Sequence, residues 1–258
     1  SKSKSLTVPD EIDGFKVVSI GDNFISSYKL LEKLVLPKTI RSIGQHAFNS
    51  CYKLKSFHIG VNVSSIGSFA FTACYSLTDL TIDPNNKYFT VLDGVIYDKN
   101  LTEAVAAPTA QRIVIPSTVK KIRKYAFYYN ENLTSIVIPK SVTTVLEGAL
   151  GTTGLVCVYI NGDFPTSVSD YMLAQNSKLL YVNINGNAPN TTSSSLKTLF
   201  HLMSRKPTIR VPKDSKGYDV IPWTECKIEY VDSVPLSPEQ EPLMLIPESF
   251  PAHMAKSI

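Results

Sequence analysis

Ser56, His58 and Asp79 are the residues of this 258-residue chain whose types fit a hydrolytic triad. In an extended strand Ser56 and His58 share a face, about 7 Å apart by rise. Asp79 follows Ser56 by 23 positions, a step that recurs along the chain and sets it beside Ser56 on the next strand, diagonal to His58. Nothing nearby supplies an oxyanion hole or a nucleophile elbow, and an open sheet excludes no water. We read no catalysis from the trio. His46 and His201 fall in helix-like segments and His253 near the C-terminus. Asp83-Pro84-Asn85-Asn86 is oxygen-rich in the manner of a calcium loop, and a plain Asx/Pro turn accounts for the same residues. The four cysteines, Cys51, Cys74, Cys157 and Cys226, lack metal-ligand spacing, and no glycine-rich phosphate loop appears. Asn62, Asn100, Asn132 and Asn190 open glycosylation-type triplets, which a chain rich in Ser, Thr and Asn acquires by chance. No catalytic residue, cofactor or metal is expected.

The balance of charge gives no other lead. A net charge of +4, with Lys and Arg scattered, makes no basic stripe for nucleic acid. No apolar run reaches the length of a membrane-crossing helix. The start, Ser1-Lys2-Ser3-Lys4-Ser5, is polar and reads as the beginning of a mature or trimmed fragment, with any secretory leader or lipid anchor lying upstream.

The elements that carry these residues are set by a repeat. Leu31, Leu34 and Leu36 make a Leu-x-x-Leu-x-Leu motif, repeated by Leu54, Phe57, Ile59 and by Leu77, Leu80, Ile82, with equivalent positions 23 apart (34 to 57, 57 to 80). Ile20-Gly21, Ile43-Gly44 and Ile66-Gly67 keep the same step, as do Ala47-Phe48 and Ala70-Phe71. This is the signature of a leucine-rich-repeat solenoid. The fold class expected is α/β: a right-handed coil, one parallel concave sheet, short helices or 3-10 turns on the convex side, and an interposed β-hairpin. Nine aliphatic pairs mark its strands: Leu6/Val8, Leu34/Leu36, Phe57/Ile59, Leu80/Ile82, Ile113/Ile115, Ile136/Ile138, Val158/Ile160, Val182/Ile184 and Ile209/Val211. Proline often follows (Pro9, Pro37, Pro116, Pro139, Pro212) and ends ladder pairing. The glycines after Ile43 and Ile66 suit tight corners at positive φ. Residues 45–54 read as one or two helical turns. Phe48, Phe71 and Phe127 are expected to stack as a spine, with Ala47, Ala70 and Ala126 leaving room between coils. Cys51 and Cys74 share one repeat position and are expected to pack as small buried thiols.

Two stretches break the rhythm. From Leu80 to Ile113 the step is 33, ten more than standard, and the excess holds Asp93-Gly94 between strand-forming residues, a hairpin signal. We expect an excursion at the edge of the solenoid, with a binding loop as the sharper alternative. After residue 155 the repeat drifts. Residues 193–203 read as a longer amphipathic helix, and Ile209 to Val231, with Tyr218 and Trp223, as a terminal cap. One solenoid domain therefore spans 1–234. A proline-rich extended or disordered tail occupies 235–258.

Residues between the paired aliphatics point to the opposite, solvent face of the sheet. They include Lys33, Val35, His58, Thr81, Val114, Val137, Tyr159, Asn161, Tyr181, Asn183 and Arg210. The aromatic and amide end is the better recognition surface, because tyrosine offers area and a hydroxyl at low entropic cost. The expected ligand-binding residues are Tyr159, Asn161, Tyr181, Asn183 and Arg210, with little contributed from the Val35 end.

Residues 36–54, from Leu36-Pro37-Lys38 through Ile43-Gly44 and Ala47-Phe48 to Cys51 and Leu54, resemble almost the whole motif of the BspA-like, or Treponema pallidum-type, leucine-rich repeats. Residues 92–97 look like the hairpin these proteins interpose, and 210–223 like their terminal cap. The resemblance covers roughly residues 6–231. It implies secretion or display on host-associated bacteria, adhesion to host proteins or other cells, and no shared catalytic residue. The expected role is thus non-catalytic binding, extracellular or at the cell surface, to a host matrix or cell-surface protein or a glycan. The alternatives are a polysaccharide-capture module and a scaffold of a surface assembly.

Overall fold

The computed structural model describes residues 3–108, 110–189 and 194–240. The aliphatic pairs build two parallel sheets side by side. The first contains β1 (Ser5–Thr7), β2 (Lys33–Val35), β3 (Ser56–Ile59) and β4 (Asp79–Ile82), in that order. A three-stranded antiparallel layer follows: β5 (Phe89–Leu92), β6 (Val95–Asp98) and β7 (Glu103–Ala106). The second sheet orders β8 (Arg112–Val114), β9 (Ser135–Pro139), β10 (Cys157–Asn161), β11 (Tyr181–Ile184), β12 (Thr208–Pro212) and β13 (Lys227–Val231). Its register runs unbroken from Ile113 through Ile136, Val158, Val182 and Ile209 to Ile228. β13, expected only as part of a cap, is the last parallel strand. The end is plugged by the buried Trp223, whose indole meets Phe164, Phe200 and Tyr218 with ring centroids 5.0, 6.2 and 5.4 Å away.

The Asp93-Gly94 turn is a hairpin, with both residues at positive φ (50° and 75°) as a two-residue connection requires. It is not an excursion at the edge. Side chains of the layer alternate between two cores: Phe89, Ile96 and Val105 join the first, while Val95, Tyr97 and Ala104 join the second. The layer is a wedge buried on both faces, and it divides the expected spine. Phe48 and Phe71 stack at 5.5 Å in the first core, with Phe57 4.8 Å from Phe71; Phe127 lies in the second.

Three local expectations change. Gly44 and Gly67 do not sit at positive φ. They are required by close stacking instead, since a Cβ on either would lie 2.6 Å from a backbone atom of the preceding coil. Positive φ falls on other residues: His46 and Ser50 in one coil, Phe69 and Ala73 in the next, Tyr125 and Tyr129 later. Two left-handed residues four apart break a helix, so the convex side is a series of turns. Residues 194–203 hold a four-residue helix, Ser194–Lys197, continued by turns that still bury Leu196, Leu199, Phe200 and Met203. Ser193, Asn190 and His253 lie outside the described residues.

Cys51 and Cys74 are buried thiols with no disulfide between them. Each sulfur points at a carbonyl of the preceding coil, Ile25 O at 3.3 Å and Phe48 O at 3.2 Å. Burial pushes the Cys51 thiol up to about 11, far from the reactive thiolate range.

Candidate functional site

Strand alternation aims Val35, His58, Thr81, Val114, Val137, Tyr159, Asn183 and Arg210 away from the cores, and the structure divides this row. Over the first sheet and β8 the face is open: Lys33, Val35, His58, Asp79 and Thr81 are exposed, and Val114 is 68% exposed. A depression of about 340 Å³ is bounded there by Lys33, Val35, Ser56, His58, Asp79 and Thr81, among others. One strand beyond Val114 the face closes. Val137 is 5% exposed, Tyr159 1% and Asn183 0%. The reading of Tyr159 and Asn183 as solvent-facing is therefore corrected, and the Val35 end is the accessible one.

The other expected site residues are half-buried. The Arg210 guanidinium lies 3.7 Å from the Tyr181 ring centroid, covering that face of the ring. Its Nε also donates to Glu229 at 3.2 Å. Lys227, 2.6 Å from Glu229, and Arg210 together hold the Glu229 carboxyl below the usual carboxylate range. The structure thus brings Tyr181 and Arg210 into contact. The registers Tyr159↔Asn183 and Asn183↔Arg210 make the patch contiguous, as expected from strand order.

We attribute the closure to the chain's own C-terminal segment, from its burial and its reach. Val234 is buried, yet like Val137 and Tyr159 it belongs to neither core. Pro235, Leu236, Ser237 and Pro238 are half-buried. The segment leaves β13, at one edge of the second sheet, with Asp232 paired to Lys213 at 2.6 Å. It ends in a 3-10 turn, Pro238–Gln240, where a Ser237 hydrogen bond, the turn's own N–H and the Arg112 charge lower the Glu239 carboxyl. Arg112 is on β8, at the opposite edge. Six strands span about 24 Å, and eight extended residues reach about 26 Å. The segment has little slack, and one face of the sheet is filled by core, so it crosses the other. Residues 235–240 are the described part of the expected tail; residues 241–258 lie outside the described residues.

The hydrolytic trio is not assembled. His58 Nδ1 is 3.0 Å from Thr81 Oγ1, its cross-strand neighbour, while Ser56 pairs with Asp79. The oxygen-rich turn is structural. Asp83 Oδ1 accepts the Asn85 N–H, and the buried Asn86 amide donates to Gly60 and Val63 carbonyls while accepting from Tyr88 and Phe89.

One set of residues escaped the reading of the sequence. The Cys51/Cys74 position recurs as Asn130, Thr153 and Asn176, all buried. The Asn176 amide donates to Leu150 O at 2.8 Å and Leu173 O at 2.9 Å, and its oxygen accepts both donors of Thr153 at 2.7 Å. Asn130 likewise donates to Ala107 and Ala110 carbonyls. The signal was present: from Cys74 to Asn130 is 56 positions, one standard step of 23 plus the lengthened one of 33.

The sequence model of the BspA type leucine rich repeat region matches residues 18–105 and 103–212 in six copies. Among solved structures, a leucine rich cell surface protein from Faecalibacterium prausnitzii A2-165 is similar, with a TM-score of 0.60 and 23% identity over 89% of this chain. The chain spans 60% of that protein's length. A leucine-rich repeat protein from Eubacterium ventriosum ATCC 27560 gives a TM-score of 0.52 and 20% identity, covering 88% of this chain and 72% of that one. At these identities the likeness shows the fold. No curated protein matches the sequence.

Proposed function

Because the chain belongs to the BspA-type leucine-rich-repeat family, we propose that it is a non-catalytic, secreted or surface-displayed protein that holds a protein partner on the open half of its concave face. The observation that carries this reading is the division of that face. Val35 and Val114 are exposed apolar side chains at the two ends of this open row, with Lys33, His58, Asp79 and Arg112 exposed among them, apolar area interspersed with polar and charged groups. A solenoid presents such a surface without forming an enclosed reaction chamber. A sugar needs open aromatic faces; here Tyr159 is buried and Arg210 covers Tyr181, which favours a protein partner over a glycan. The likeness to a cell-surface protein of F. prausnitzii supports an extracellular setting, and the use proposed for it there is adhesion to a host protein.

Surface plasmon resonance against immobilised collagen, fibronectin and laminin, with a glycan array in parallel, tests the reading. We expect binding in the protein arm, weakened at least tenfold by Val35→Asp, about 1.4 kcal/mol. Tyr171→Ser, on the convex side, should leave it unchanged. Binding confined to the glycan array, or equal loss in both variants, would contradict the proposal.

A further inference from the structure

On the burial and reach given above, residues 232–240 are the occupant assigned to the closed half of the concave face, and their sequence describes what that face accepts. Its sequence is Asp232-Ser233-Val234-Pro235-Leu236-Ser237-Pro238-Glu239-Gln240. Val234 is its buried anchor; the Glu239 carboxyl is held low chiefly by a Ser237 hydrogen bond, with a smaller contribution from the Arg112 charge. Pro235 and Pro238 fix φ and remove two N–H groups, which suits a chain laid across side chains, with no sheet edge to pair with. A proline-punctuated extended segment also loses little entropy on docking.

We propose that the concave face of the second sheet is a groove for an extended, proline-containing peptide with an aliphatic anchor and a carboxylate five residues later, and that residues 232–240 fill it as a displaceable strap. The strap is an imperfect ligand. The buried Oδ1 of Asn161, on the same strand face as Tyr159, has no hydrogen-bond partner among the described residues. A competing chain that brings an N–H to this oxygen gains a bond the strap does not make. Displacement would uncover Tyr159 and Asn183 beside Tyr181 and Arg210, the contiguous patch that strand alternation assigns to recognition. The groove is separate from the open half, and the proposal stands whether or not the open half binds a partner.

The test uses the full chain and a fluorescein-labelled peptide of residues 232–240. In anisotropy titrations the peptide should bind the Val234→Asp chain at least tenfold more tightly than the unaltered chain, whose groove is filled. The same peptide carrying Val234→Asp should not bind. Should Val234→Asp fail to fold by circular dichroism, Glu239→Lys, a reversal at an exposed position, weakens the strap at its other end and should give the same gain. Equal binding to the unaltered and variant chains, or no gain in a folded variant, would overturn the proposal.

Discussion

Asn176→Leu should destabilise the protein by roughly 3–5 kcal/mol, a large part of a typical domain's total stability. The side chain is fully buried and makes four hydrogen bonds, two to carbonyls of its own coil and the one before and two from Thr153. Leucine has the same branched heavy-atom outline with bulkier methyl groups, and it removes all four. The Leu150 and Leu173 carbonyls and the Thr153 N–H and hydroxyl would then lose these bonds inside the core, where each unmatched group costs about 1–3 kcal/mol before relaxation. Asn176→Cys should cost distinctly less, because Cys51 and Cys74 already serve this position in earlier coils, each sulfur directed at a carbonyl of the coil before. Urea unfolding of the two variants checks both the size and the order. A leucine variant within about 1 kcal/mol of the unaltered chain would mean that the ladder does not hold the coils together.

The second large effect is expected at Phe71. Its ring is buried between Phe48 and Phe57, with centroids 5.5 and 4.8 Å away, in the first core. Phe71→Ala removes contacts on both sides, and neighbours fixed in stacked coils collapse little into the space. The loss should be about 3–5 kcal/mol, the usual range for truncating a buried phenylalanine. A neutral unfolding curve would show that the repeat register is misplaced.

These two predictions also mark what the sequence made legible. The 23-residue step placed Phe48 and Phe71 in adjacent coils, because a repeated apolar position has one interior to face. It also placed every paired aliphatic from Leu34 to Val211 on a strand or at its end. It missed the wedge's burial, since an Asp-Gly turn specifies a hairpin and says nothing of what covers its two faces. The left-handed residues of the convex turns gave no local warning: Phe69 and Tyr125 are not residues that favour φ > 0, and stacking holds them there, with their rings 3.9 Å apart. The site was half legible. Alternation correctly directed Tyr159 and Asn183 away from the core. Their burial outside both cores depends on positions distant in sequence, which no periodicity records.

The division of the concave face into an open and a closed half is the centre of this account, and hydroxyl-radical footprinting of the intact chain measures it directly. Tyr159, 1% exposed, should be oxidised far more slowly than Tyr171, 40% exposed on the convex side, while His58 on the open half reacts readily. Oxidation of Tyr159 at the rate of Tyr171 would show the whole sheet open to solvent and contradict the account.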